Sequence, residues 1–451
     1  MQRTAEVYVR KEHGIDRNLI DQDALKIIAR LRKHNFATYI VGGAVRDLLL
    51  GKRPKDFDIA TEAEPNQIKK LFRNSRIIGK RFRLVHIFFG QEKIIEVSTF
   101  RSEDAGTFNN VYGSIEEDAW RRDFTINGLY YDPHDEQVVD FVKGYRDLRA
   151  ARIRPIIPMG RIFVEDPVRM IRALKYSCST GCSIGFMLRR RIRMSRALMA
   201  DISPSRISEE VFKILQGGHA LPIIKILRKY GLLEFLMPRF ADMLAAGDSN
   251  GFTIRFYASL ATLDRAVLNH RESRRSIQLS YLVADYLFSH SKWVEVKRLP
   301  FPEVYADIKD LIKPVTPPNI EVERALVYLI QKRKTYHQHG TLPLADPEGE
   351  ETVRNAGENG VPPNLPIDAD MGDFYDQKRN RGRGRPPRGG RSRSGNAAGT
   401  EINGGPERIE KPPVSETANP NPPPKRAAVP GGASRPRRRP PKNRDPQSPA
   451  P

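Results

Sequence analysis

A β-branched run that ends in two glycines and leads on to a pair of aspartates admits few folds. In this chain Tyr39-Ile-Val-Gly-Gly-Ala-Val-Arg-Asp-Leu-Leu-Leu-Gly51 is followed by Asp56-Phe-Asp58. The run reads as a strand entering a tight turn, because glycine lets backbone N–H groups approach a ligand with no Cβ in the way. Such a turn can cradle phosphates. Asp56 and Asp58 alternate with Phe57 and Ile59, so on a strand their side chains leave from one face. Two carboxylates on one face repel unless a cation lies between them. Hard oxygen donors opposite a phosphate chain favour Mg²⁺ over zinc or copper.

The chain has 451 residues, a net charge of +22 and an isoelectric point near 10. Two to three domains are expected from that length, and a polyanion is the expected partner of so basic a protein. No run of eighteen apolar residues occurs, and the first residues lack the apolar core of a signal peptide. The expected location is therefore the cytoplasm, away from membranes, and no stable protein partner is inferable. Cys178 and Cys182 are the only cysteines, without histidines near them, so neither a disulfide nor a zinc site is expected.

The pattern is α+β and changes character twice. Residues 1–145 alternate helix and strand: a helix over Leu25–His34, a strand over Ala37–Val41, a second helix over Asn66–Phe72. Strands follow over Leu84–Phe89, Ile94–Phe100 and Thr125–Tyr131, which predicts a mixed sheet with helices on one side. From about residue 160 the strand signal disappears. Helical spacing over Val168–Lys175, Ser208–Leu215, Leu221–Lys229 and Ile254–Thr262 predicts an all-helical half. Residues 341–451 carry 21 of the 35 prolines, and from Gly372 onward 18 Lys and Arg stand against 7 Asp and Glu. A disordered basic tail is expected there, either a solubilising extension or an arm that holds RNA through phosphate charge.

Two further clusters carry chemistry. Asp118-Ala-Trp-Arg-Arg-Asp-Phe-Thr-Ile-Asn127 places two arginines, acids and an amide before a β-patterned segment. Arg121 or Arg122 could pair with triphosphate oxygens through the planar guanidinium fork; the alternative is a solvated, salt-bridged turn. In Glu165-Asp-Pro-Val-Arg-Met-Ile-Arg172, an acid and proline suit a helix start. Asp166 and Arg169 are three apart and are expected on one helical face, where acceptor and fork donor can read a base edge.

Gly42-Gly-Ala-Val-Arg-Asp47 with Asp56-x-Asp58, Arg121-Arg-Asp-Phe-Thr-Ile-Asn127, Asp140-Phe-Val-Lys-Gly144 and Glu165-Asp-x-x-Arg169 occur here in one order. That order resembles the class II template-independent RNA nucleotidyltransferases, which comprise tRNA CCA-adding enzymes and bacterial poly(A) polymerases. The resemblance covers about residues 20–240. It implies a polymerase β-like catalytic head, a helical neck at 146–217 and body at 218–340, two Mg²⁺ ions as cofactors, and ATP and RNA 3′ ends as substrates. Asp56 and Asp58 match the acids that bind the metal ions, and Asp123 matches a third catalytic acid. Glu96 is the alternative should Asp123 turn towards an arginine. Gly42, Gly43, Arg46, Arg122 and Asn127 match the residues that hold triphosphate and ribose, and Asp166 and Arg169 the pair that reads the incoming base. Arg206 falls near the family's last helical motif.

Within the family, Gly79-Lys-Arg-Phe-Arg83 is similar to a basic segment of bacterial poly(A) polymerases. Lys80, Arg81 and Arg83 suit gripping an arbitrary RNA backbone, and His86 just beyond reads as a structural histidine. The expected activity is addition of AMP from ATP to RNA 3′ ends. Asp58-Ile-Ala-Thr61 is equally at home in CCA-adding enzymes, so addition of CCA or of A alone to tRNA stays open. A non-catalytic RNA-binding protein is the alternative outside enzymology.

Overall fold

The computed structural model describes residues 4–79, 83–90, 93–102, 111–247, 251–269, 274–297 and 299–343. Lys80, Arg81 and the expected tail beyond Pro343 lie outside them. Eight strands form one sheet: β1 (Glu6–Val9), β2 (Thr38–Val41), β3 (Asp58–Thr61), β4 (Ser75–Ile78), β5 (Leu84–Phe89), β6 (Lys93–Thr99), β7 (Leu129–Asp132) and β8 (Gln137–Asp140). Their order is β1-β8-β7-β2-β3-β6-β5-β4, with every pair antiparallel except β3 and β6. The sheet is mixed, as the alternation of helix and strand patterns implies.

The two faces of this sheet differ. Ile40, Ile59, Val85, Ile87, Val97 and Tyr131 point to a core shared with the helices Gln22–Lys33, Gly43–Leu49 and Pro65–Leu71. Asp21 starts the first of these helices by accepting from the backbone N–H groups of Asp23 and Ala24, which satisfies donors with no partner inside the helix. The opposite face has a small core around Val41, Ala60, Phe100 and Tyr130. Beyond it, that face is left to polar groups. In cross-strand register lie Val41, Asp58, Glu96, His86 and Arg76, so these side chains stand in one row.

Two local expectations change. Thr125–Asn127 is a 3₁₀ turn, and the strand starts only at Leu129. Thr125 N–H donates to Arg154 and its hydroxyl to Asp147, which draws the backbone out of the ladder. In the half expected to be all helix, Ser183–Ile184 pairs in parallel with Arg152–Ile153, a two-residue ribbon too short to show as a pattern.

Helices otherwise carry the second half, among them Val168–Thr180, Pro204–Leu215, Ala220–Lys229, Phe252–Leu268, Arg275–Ser289 and Asn319–His339. Their core is continuous from Phe124 and Ile126 of the head to Tyr336 and Leu342. Neck and body thus share one interior across residue 217, and Leu342 is fully buried. No described helix is long and apolar enough to cross a membrane. Cys178 and Cys182 are unpaired thiols, and burial pushes Cys178 up to about 11.

Candidate active site

The open polar face of the sheet meets the helices Val168–Thr180 and Pro204–Leu215 across a cleft of about 1300 Å³. Gly42, Gly43, Arg46, Asp56, Asp58, Arg122, Asp123, Asn127, Asp166 and Arg169 all line it, as do Glu96 and Arg206. Motifs up to 160 residues apart in the chain therefore face one space. Arg83 is exposed and stands outside this lining.

The carboxylates lie at the start of β3, an interior strand of the sheet. The strand begins only at Asp58, with Asp56 in the approach to it; Phe57 between them is buried in the helix-covered core. Both aspartates therefore face away from that core and into the cleft. Glu96 stands beside Asp58 in the parallel β3–β6 register. Neither Asp56 nor Asp58 makes an ion pair or a side-chain hydrogen bond among the described residues. Burial and then the charge of Glu96 push Asp58 up to about 6, with Asp56 adding to the rise while Arg122 and Lys213 oppose it. Asp58 is exposed to solvent but stands among the cleft walls, which lower the dielectric around it. These are hard, uncompensated oxygen donors, which fits a divalent cation. Among the described residues no three acidic, histidine or cysteine side chains converge closely enough to hold a metal ion together.

Asp123 occupies another place. Its Oδ2 accepts from Arg172 Nε at 2.6 Å, and its Oδ1 from Asn127 Nδ2 at 3.1 Å and Phe124 N at 2.8 Å. Burial would raise this carboxyl, but Arg172, Asn127 and the backbone donor outweigh it and hold it below the usual range. Both oxygens are engaged, Oδ2 by Arg172 of the Val168–Thr180 helix and Oδ1 by donors within the head. Glu96, not Asp123, is the acid beside Asp58.

The phosphate side of the cleft is an ordered network. Gly42 has φ +69°, and a Cβ there would come within 3.1 Å of Arg122 Nη1, so the glycine serves both the turn and the close approach. Arg122 donates to Asp118 at 3.0 Å, Tyr130 at 3.1 Å and the Asn127 carbonyl at 3.3 Å. Asn127 Oδ1 accepts from buried Arg46 at 2.9 Å, and the Arg46 guanidinium lies over the Tyr176 ring. Burial raises Asp118, but Arg122 and Tyr130 overcome it and keep this acid ionised. The salt-bridged turn and the anion cradle are thus one structure. Arg121 Nη1 is buried without a hydrogen-bond partner, 3.9 Å from Asp118. An orphaned guanidinium N–H facing such a cleft suits an anionic oxygen.

The proline shapes the third motif. It disfavours helical backbone at the residue before it, so Asp166 is extended and the helix starts at Val168, whose N–H Asp166 accepts at 3.2 Å. Asp166 and Arg169 therefore do not share a helical face. Arg206 holds both oxygens of Asp166 at 2.9 Å, while Arg169 donates to the Ile162 carbonyl and Glu165, each at 3.1 Å. Both still border the cleft, each with its orientation fixed by a neighbour.

Arg172, Lys175 and Tyr176 also line the cleft, with Glu210 and Lys213 opposite. Lys175 donates to buried Glu210 at 2.6 Å. Sequence reasoning passed over them because it used the apolar stripe of the Val168–Lys175 helix and not its other face. The recurrence of basic residues at 169, 172 and 175, about one turn apart, is the signal that could have found them. His86 Nε2 lies 3.1 Å from Glu96 Oε1, the satisfied partner its structural reading implies.

Comparison with known proteins follows the same division. A family model described as the poly A polymerase head domain matches residues 38–154, and one described as the probable RNA and SrmB-binding site of polymerase A matches residues 184–244. Poly(A) polymerase I of Escherichia coli is 45% identical over 248 residues, 51% of this chain and 53% of that protein. A CC-adding tRNA nucleotidyltransferase of Halalkalibacterium halodurans is 35% identical over 212 residues, 47% of this chain and 53% of that protein. The chain spans about half the length of the curated relatives it matches. Among solved structures, the Bacillus stearothermophilus CCA-adding enzyme in complex with CTP aligns over 80% of this chain and 98% of its own, at 23% identity and TM-score 0.46. Head and RNA-binding family models thus match in order along the chain, which is similar over about half its length to poly(A) polymerases and to enzymes that add nucleotides to tRNA.

Proposed function

We propose that this protein adds AMP from ATP to the 3′ end of RNA, releasing pyrophosphate and building poly(A). One observation carries the reading: Asp58 stands beside Glu96 in the strand register and Asp56 lines the same cleft, whose walls bear twelve Lys and Arg side chains. An enzyme that joins two polyanions needs both, acids for the cation and bases for the phosphates. Asp56 and Asp58 would hold the two Mg²⁺ ions, with Glu96 beside them as the third acid in preference to Asp123. Bound there, the ions would supply Lewis-acid stabilisation of the attacking and leaving oxygens.

The chain's own residues do the rest. Gly42 and Gly43 leave room for the phosphates, and Arg46, Arg122 and Asn127, locked to one another, present fixed donors to triphosphate and ribose. Arg121 brings its unpartnered N–H to the charge that grows on departing pyrophosphate. Asp166 accepts from and Arg169 donates to the base edge. Arg206 keeps the Asp166 acceptor oxygens aimed. Arg83, with Lys80 and Arg81, holds the RNA backbone.

Assays with each nucleotide alone, on unstructured RNA and on tRNA lacking its terminal CCA, test this. A long adenosine tract on the unstructured RNA is expected. Addition of one to three residues to tRNA alone would instead establish repair, the reading that Asp58-Ile-Ala-Thr61 and the relative from Halalkalibacterium favour. Mg²⁺-dependent extension lost in Asp58→Ala excludes a role confined to RNA binding.

A further inference from the structure

Between the Gly43–Leu49 helix and β3 runs a loop that ends at Asp56, and two of its lysines cross the cleft. Lys52 Nζ donates to the Ser179 carbonyl at 2.9 Å, in the last turn of the Val168–Thr180 helix. Lys55 Nζ donates to the carbonyl of Gln216, the residue that ends the Pro204–Leu215 helix. The last carbonyls of a helix have no partner inside it and form the negative end of its dipole, so an ammonium group is the natural cap. Caps usually come from the helix's own last turn. Here they come from the other wall of the cleft, more than 120 residues away.

The helices so capped carry the base-facing residues. Arg169 belongs to the first, and Arg206, which grips Asp166, to the second. The loop that caps them carries Asp56, next in sequence to Lys55. We propose that Lys52 and Lys55 are positioning residues that set the span between the metal-binding carboxylates and the base-reading pair, and so set nucleotide choice. The inference rests on the functional reading above and deepens it. A correct base engages Asp166 and Arg169 only when its α-phosphate also reaches the carboxylates, and that coincidence depends on the span. Loosening the two caps lets the walls adjust to a base of another size.

The experiment compares the full chain with Lys52→Met and Lys55→Met, singly and together, and with Lys55→Arg. It reads transfer from ATP and from CTP onto unstructured RNA, equilibrium binding of non-hydrolysable ATP and CTP analogues, and Tm. In the double variant the ATP-over-CTP ratio, in kcat/KM and in binding, is expected to fall by about tenfold, while KM for RNA stays put. Tm should move by less than about 3 °C, since each bond is a single exposed one. Lys55→Arg should keep most of the discrimination, because a guanidinium also caps the carbonyl. Equal loss for both nucleotides, an unchanged ratio, or a rise in KM for RNA alone would overturn the inference. If the unmodified protein transfers neither nucleotide, the functional reading itself fails; if it transfers AMP and the variants keep its selectivity, only the positioning role does.

Discussion

Asp58 ionises against its surroundings, and the consequence can be measured in two ways. Its folded value near 6 lies above the ordinary 3.8, so the folded state keeps the proton longer than the unfolded one. Stability is therefore lost as pH rises from about 4 to 6 and stays lost above. Asp58→Asn should melt higher than the parent at pH 7 in metal-free buffer, with the gain fading below pH 4. In catalysis the proton and the metal compete for one carboxylate. The Mg²⁺ concentration for half-maximal rate should rise about tenfold for each pH unit below 6. Asp58→Ala should cost at least about a thousandfold in rate. Glu96→Gln should raise the Mg²⁺ requirement in steady-state assays, whereas Asp123→Asn should leave it alone and lower Tm. The reverse pattern would return the third acid to Asp123. From sequence the alternation Asp56-Phe57-Asp58 was legible, since one buried aromatic fixes the side its neighbours face. The partner of Asp123 was not, because Arg172 lies 49 residues away on a helix whose packing no local pattern encodes.

At the scale of elements, the junction of head and helices is made of charge as well as apolar surface. Arg172 lies over the Tyr176 ring and reaches Asp123, whose carboxylate is 6% exposed. Arg172→Met would leave that carboxylate buried and unpaired, a loss of about 3 kcal/mol. Urea unfolding should show it, and Asp123→Asn added to Arg172→Met should recover part of it. Sign matters here too. Asp123 is held below 3.8, so the stability it contributes is present above that value and fades as pH falls through its lowered value. Some helices were read from sequence close to their observed bounds, Ala220–Lys229 against an expected Leu221–Lys229, because amphipathic periodicity acts locally, whereas the expected Ile254–Thr262 caught only the middle of Phe252–Leu268. The turn at Thr125–Asn127 was not, since its β-like composition yields to hydrogen bonds with Arg154 and Asp147. Nor was the entry of Asp166 into an Arg206 grip, which needs two helices to meet.

At the scale of the molecule, the change of composition near residue 340 was legible, but the packing of the residues just after it was not. Leu342 is buried and the Pro343 carbonyl accepts from Tyr281 at 2.5 Å, so the packed chain runs on to Pro343. A truncation after Pro343 should keep the adenylation rate on short RNA. It should also weaken RNA retention at moderate salt and flatten the slope of log K against log salt, as removal of a tail of net positive charge requires. Equal slopes for both forms would refute an electrostatic arm. The shared interior from Phe124 to Leu342 has a further effect. Neck and body have no plane of easy cleavage between them, so a cavity carved at the last helix, outside the lining of the cleft, should loosen the grip on ATP before it unfolds anything. Inherited or engineered lesions at that remote end would then present as faulty chemistry in a protein of normal abundance.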